Sequence, residues 1–334
     1  MYKRQTKALP AKRCKTLGIL LFIRVPLPAA MITTSNAVMS FILFRRIIRH
    51  VCMGVTGFAL LMLSGCSTLK LVYTQSDELI YWWMDGYVDF QDEQKPIVRS
   101  ALTDLQKWHR QQQLPEYIAL LQEMRTLAAQ DITPAQACAI GDKAKNSFIA
   151  LLRQVEPVST QLAVQLTPEQ LKNIRKRYDK TNKDWREDWL EGSEEKLRRH
   201  RFKQARNRLE DIYGKLDTPQ RDVLRQWLNN SKFDPRTSYA ERERRQSDVL
   251  QTLQLLSQAD ANSANAQALV RALVDRLFQS PNERFLAYSQ ALLQDNCEGF
   301  ARLHNSTTSE QRQRLIENLR NYEADFRSVL SPKR

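Results

Sequence analysis

Glycine is nearly absent from most of this chain. After residue 65 it occurs only at Gly86, Gly141, Gly192, Gly214 and Gly299, five times in 269 residues. An ordinary globular chain carries roughly 7% glycine. A β-rich fold spends glycine on tight turns and bulges, and nucleotide-binding loops need it for close approach of the backbone. The scarcity therefore points to helices, and the apolar spacing agrees. Tyr117, Leu120, Leu121, Met124, Leu127 and Ala128 follow steps of three and four, as do Ile140, Ala144, Phe148, Leu151 and Val155. Leu315, Leu319, Tyr322, Phe326 and Val329 do the same near the C-terminus. Leu171, Ile174, Tyr178, Trp185 and Trp189 form a near-heptad seam suited to a helix packed on a neighbour. Breaks are expected at Pro115, Pro134, Pro157, Pro168, Pro219, Pro235 and Pro281. The expected fold is all-α: an elongated multi-helix bundle of about nine or ten helices, with a long charged helical hairpin.

The 334 residues hold 51 Lys+Arg against 37 Asp+Glu, a net charge of +14. Such a charge suggests nucleic-acid binding until it is located. Residues 1–65 contain ten bases and no acid, so residues 66–334 carry only about +4. An acid-free basic stretch followed by an apolar run reads as an export signal, not as a binding surface. The run is Val51–Leu63, thirteen residues. A spanning helix needs about 20, whereas a signal-peptide hydrophobic region needs about 7–15. Arg45, Arg46, Arg49 and His50 precede it, and Leu63, Ser64, Gly65 and Cys66 follow it.

That last tetrapeptide resembles the lipobox of bacterial lipoproteins. The resemblance implies processing at Leu63–Gly65 and lipid attachment at Cys66, by a thioether-linked diacylglyceryl and an amide-linked acyl chain such as palmitate. No other cofactor is expected. Two such anchors exceed what stable membrane attachment requires. Ser67, where an Asp would favour inner-membrane retention, implies the periplasmic face of the outer membrane. The expected division is an upstream extension or long n-region at 1–38, a signal peptide at 39–65 beginning at Met39, and one helical periplasmic domain at 66–334. Export leaves the membrane, through its lipid anchor, envelope proteins and anionic lipid headgroups as partners, and excludes nucleic acid.

With Cys14 and Cys52 in the leader and Cys66 lipidated, Cys138 and Cys297 remain. In an oxidising compartment this even pair is a candidate disulfide; the alternative is two separate buried thiols.

A five-residue pattern recurs at expected helix starts: Ile132–Gln136, Leu166–Gln170 and Thr307–Gln311, with looser copies at Phe90–Gln94 and Leu216–Gln220. A Thr that caps the N-terminus and a Gln three positions on that closes the box explain it physically. The pattern also resembles the repeated L-T-x-x-Q of small periplasmic stress chaperones of the spheroplast-protein type. The segment Leu69–Phe90 is similar to the start of an uncharacterised family of proteobacterial helical lipoproteins, through Tyr73, Asp77, Trp82, Trp83, Asp85, Tyr87, Val88 and Asp89. That likeness implies an address and a fold class but no activity.

Two surfaces are candidates for binding. Between Leu71 and Gln94 lie six acids, no base and the aromatics Tyr73, Tyr81, Trp82, Trp83, Tyr87 and Phe90. The expectation is aromatics in the core with acids outside; the alternative is contact with the membrane interface, which favours Trp and Tyr. Asp85, Asp89 and Asp92 are placed on a shared helix face. The second candidate is basic: Lys196, Arg198, Arg199, Arg201, Lys203, Arg206 and Arg208, with no acid among them. It suits anionic headgroups, or else forms a solvated helix face.

Catalytic signals are sparse. His109, His200 and His304 are far apart, no metal-ligand spacing occurs, and His109 beside Trp108 is expected on a helix surface. The reading is a binding, scaffold or chaperone-like envelope factor. The alternative is an envelope enzyme acting on peptidoglycan or lipid through a carboxylate pair.

Overall fold

A computed structural model describes residues 72–259 and 264–330. Among the described residues there are eleven α-helices and no strand. In chain order they are α1 Ser76–Val88, α2 Gln94–Trp108, α3 Leu114–Ala128, α4 Pro134–Ala163, α5 Pro168–Trp189, α6 Glu194–Tyr213, α7 Thr218–Asn230, α8 Pro235–Leu256, α9 Ala264–Phe278, α10 Glu283–Asn305 and α11 Ser309–Leu330. The all-α class thus follows the apolar period and the missing glycine. Eleven is slightly more than the nine or ten expected.

Two of the expected proline breaks do not break the chain. Pro157 lies inside the 30-residue α4. It is exposed, so solvent can satisfy the carbonyl that its missing N–H releases. Pro115 sits in the first turn of α3, where no intrahelical N–H is lost. α2 and α3 are joined by a π-helical turn, His109–Gln113, which absorbs the extra residue.

The core has three parts. The largest joins Leu121 and Ala128 of α3, Leu209, Ile212 and Tyr213 of α6, Leu216 and Leu224 at α7, Leu303 of α10, and Leu315 and Leu319 of α11. A second joins Tyr81, Phe90, Val98 and Leu102 around α1 and α2. The third joins Ala163, Leu256, Ala266 and Val270. α3 packs most extensively on α11, and α4 on α10 and α9.

The charged helices α5 and α6 are consecutive, turning at Gly192, whose φ of 119° suits glycine. Each packs chiefly elsewhere: α5 on α1 and α8, α6 on α7 and α11. The seam of α5 is filled accordingly. Ile174 is buried, Trp185 stacks on Tyr239 of α8 at 5.3 Å between centroids, and Trp189 meets Phe233 edge-on at 5.7 Å. A polar residue interrupts it: buried Asn182 bonds Gln246 and receives Arg242 Nε at 2.6 Å.

The recurring pentapeptide has a structural role. Thr133, Thr167 and Asp217 each cap a helix, and each closes its box with the glutamine three positions on. Thr308 and Gln311 make the same reciprocal bonds. In the fourth copy of this kind Asp217, not Thr218, is the cap.

Four of these glutamines also pair across the fold. Gln94 Oε1 accepts from the Gln91 amide and from Gln170 Nε2, while Gln94 Nε2 donates to Gln170 Oε1 and to the Gln165 carbonyl. Gln170 does the converse: its Oε1 accepts from Thr167 N, and its Nε2 donates to the Asp89 carbonyl at 3.0 Å. Gln220 and Gln311 repeat the arrangement, donating to the carbonyls of Ser306 and Lys215. In three of the four cases the accepting carbonyl lies two residues before the partner helix's cap; the Asp89 carbonyl lies two residues before Gln91, whose amide Gln94 holds. Each glutamine thereby uses both donors and both acceptor sites, and the carbonyls facing Nε2 fix which way the amide points. Each pair locks two helix starts together.

Candidate functional site

Cys66 and the processing residues Leu63, Ser64 and Gly65 lie outside the described residues. Cys138 of α4 and Cys297 of α10 form a disulfide, with an S–S distance of 2.03 Å and Cα atoms 5.4 Å apart across 159 positions of sequence. It joins two helices that already pack together.

The aromatic and acidic segment divides between two faces of α1. Tyr81 and Phe90 are buried and stack at 6.2 Å, with Arg99 over the Tyr81 ring at 3.9 Å. Trp82, by contrast, is 67% exposed, and Leu79, Ile80 and Trp83 are exposed beside it. The expectation that the aromatics all enter the core is therefore corrected for Trp82 and Trp83. One helix has only one face to give to the body, and here both faces are apolar.

The acids are also divided. Glu78 is ion-paired with Arg99 of α2, Asp92 with Lys95, and Asp85 Oδ1 accepts the Phe90 amide at 3.0 Å. Asp85, Asp89 and Asp92 do not share a helix face. Asp89 ends α1 in the left-handed conformation, φ 61°, so the chain turns before Asp92. Among the described residues no group of three His, Cys, Asp or Glu is placed to hold a metal ion.

The seven bases of α6 do not form one patch. Steps of three and four put Lys196, Arg199, Lys203 and Arg206 on one stripe and turn Arg198, Arg201 and Arg208 away from it. Arg199 pairs with Glu195, and Arg206 lies 3.6 Å from Glu210. Arg201 is spent internally: it donates to the Leu228 carbonyl and lies over the Phe233 ring at 4.9 Å. Lys196, Arg198, Lys203 and Arg208 are exposed.

Buried carboxylates are held by arginine. Glu241, 3% exposed, accepts from Arg244 at 2.9 Å, Arg245 at 2.8 Å and Ser280 at 3.1 Å. Burial alone would raise its pKa, but the two guanidinium groups more than offset that and hold it below the usual carboxylate range. Asp248 is likewise held low against its burial, by Arg276 and then Arg244. Glu156 pairs with Arg153 and Arg271, and Glu323 with Arg125 and Arg327. A general acid needs the opposite shift.

The described histidines all pack against aromatic rings. His304, 1% exposed, lies between Tyr213 Oη, 2.9 Å from Nδ1, and the Gln130 carbonyl, 2.9 Å from Nε2. The carbonyl requires the proton on Nε2, so Nδ1 accepts from the tyrosine. Burial lowers the His304 pKa and raises that of Tyr213. His109 is not on the helix surface as expected. It opens the π turn, with Tyr73 Oη 3.0 Å from Nδ1 and the Tyr117 ring edge-on at 5.3 Å. Burial among these rings lowers its pKa to about 4. His200 meets Trp189 edge-on at 5.1 Å.

Sequence reasoning missed the glutamine locks, the Tyr213–His304 pair and the seat of Trp227 against Gly299. For the first a signal existed, since glutamine is the fifth residue of every copy of the pattern. A family model described as a family of unknown function (DUF6279) matches residues 86–276. The match contains both members of the first lock but only Gln220 of the second. No curated protein and no solved structure matches the chain.

Proposed function

We propose that the chain, which belongs to the DUF6279 family of unknown function, is an outer-membrane-anchored periplasmic lipoprotein that acts by binding. It serves as a scaffold, assembly factor or chaperone-like holder for envelope components. One observation carries this reading: the order of basic residues, apolar run, small residues and cysteine that ends at Cys66. No helix among the described residues is long and apolar enough to cross a membrane, which is compatible with a lipid as the anchor.

Two features support binding over the hydrolytic alternative. The buried carboxylates Glu241 and Asp248 are ion-paired and held low, so neither is poised as a proton donor. The surfaces left for contact are the exposed bases of α6 and the aromatic face of α1. The pentapeptide does not itself argue for a chaperone, because its glutamines are spent on joining helix starts.

Intact-mass and peptide analysis of the protein from outer-membrane fractions tests the reading. The expected N-terminus is Cys66 carrying diacylglyceryl and acyl groups, with Cys66→Ala abolishing both the modification and the fractionation. A protein that retains residues 51–65 with an unmodified Cys66 would overturn it. Photocrosslinking from Lys203 is expected to recover specific envelope components.

A further inference from the structure

We infer that α1 docks flat on the lipid bilayer, inserting the face made by Leu79, Trp82 and Trp83 into the membrane interface. This rests on the reading that Cys66 carries a lipid.

Five large hydrophobic residues are exposed among the described residues, and four of them, Leu79, Ile80, Trp82 and Trp83, lie within a single stretch of α1. Positions 79, 82, 83 and 86 are spaced by three and four, so they form one stripe. Gly86 completes it without a side chain. Met84 and Val88 point the other way with Tyr81, into the core shared with α2. The orientation is fixed by more than packing. Gln106 Nε2 donates to the Tyr73 carbonyl at 2.8 Å, and Tyr73 Oη meets His109, so the entry to α1 is tied to α2 and the π turn.

Six acids in the segment from Leu71 to Gln94 oppose contact with an anionic surface. The geometry removes much of that objection. Glu78 is paired with Arg99 and Asp85 is bonded to the Phe90 amide, both toward the body. Asp77 bonds the amide that follows it.

The occupant is set by chain length. The described chain begins at residue 72, six residues after Cys66. Six residues, fully extended, span at most about 20 Å. A lipid on Cys66 therefore holds residue 72, four positions before α1, within that reach of the acyl chains, and indole and leucine are the side chains that settle at that boundary. The stripe carries no base. Docking is thus apolar, requires no anionic lipid and is insensitive to salt, unlike binding through the bases of α6.

The test uses lipidated full-length mature protein in phosphatidylcholine vesicles whose acyl chains are brominated. Expected is tryptophan quenching that Trp82→Phe with Trp83→Phe removes, at low and high salt alike. Equal quenching in the parent and the double variant, with Cys66 shown by mass to be lipidated, would overturn docking while leaving the anchor intact. An unlipidated Cys66 in the same sample would overturn both. In cells, a photocrosslinker at Leu79 is expected to yield a lipid adduct. A crosslink to one envelope protein or to a second copy of this chain instead would overturn the assignment of the bilayer as occupant.

Discussion

Gln94 and Gln170 stand 76 positions apart, yet each side-chain amide donates to the other, at 3.4 and 2.7 Å. Gln170→Ala would leave the Gln94 amide, the Asp89 carbonyl and the Thr167 amide short of a partner. A buried group left unpaired costs about 1–3 kcal/mol. Urea unfolding of Gln94→Ala, Gln170→Ala and the double variant should give a sum larger than the double. Combining Gln94→Ala with Gln311→Ala should be additive, because those residues belong to different locks. Additivity within the first pair would refute the lock.

The disulfide of Cys138 with Cys297 closes a loop across 159 positions. Its removal should lower stability by about 2–4 kcal/mol, mainly by freeing the unfolded chain. The denaturation midpoint of the parent should fall on adding reductant, to that of Cys138→Ser with Cys297→Ser. The double variant should not respond to reductant.

Gly299 is in the middle of α10, where alanine is ordinarily the better helix former by about 1 kcal/mol. Here a Cβ would fall inside the indole of Trp227. Gly299→Ala should therefore destabilise, by about 1–3 kcal/mol. Trp227→Leu, costly alone, should make Gly299→Ala nearly neutral. Equal penalties for Gly299→Ala in both backgrounds would show that Trp227 is not the obstacle.

His109 has a folded pKa of about 4, below the unbonded value near 6.5. Between these values the unfolded chain binds the extra proton, so stability is full above pH 6.5 and falls as pH drops toward 4. Lowering pH from 7.5 to 5 should cost ~2 kcal/mol through this residue. His304, also lowered, adds a loss of the same sign. Unfolding free energies at the two pH values should therefore differ less in His109→Phe than in the parent.

Much of the fold was legible because helix formation is a local matter. The three-and-four spacing of Leu120, Leu121 and Ala128, or of Leu315 and Leu319, places them on one face whatever that face meets, and all five are buried. Caps such as Thr133 with Gln136 act within four residues, so their chemistry could be read directly. Pro157 misled because a proline's effect depends on whether solvent reaches the carbonyl it frees. His109 misled because its neighbours Tyr73 and Tyr117 arrive from other segments.

The sequence by itself determined the helical class and most helix starts, since each depends on residues a few positions apart. Only the tertiary structure decided which apolar face of α1 the body covers. Tyr81, Met84 and Val88 compete with Leu79, Trp82 and Trp83, and hydrophobicity alone does not rank the two sides. The fit of Tyr81 and Phe90 beside Val98 and Leu102 settles the choice. The same holds for the paired glutamines, whose identity is local but whose partners are brought together by helices that meet only when the chain is folded.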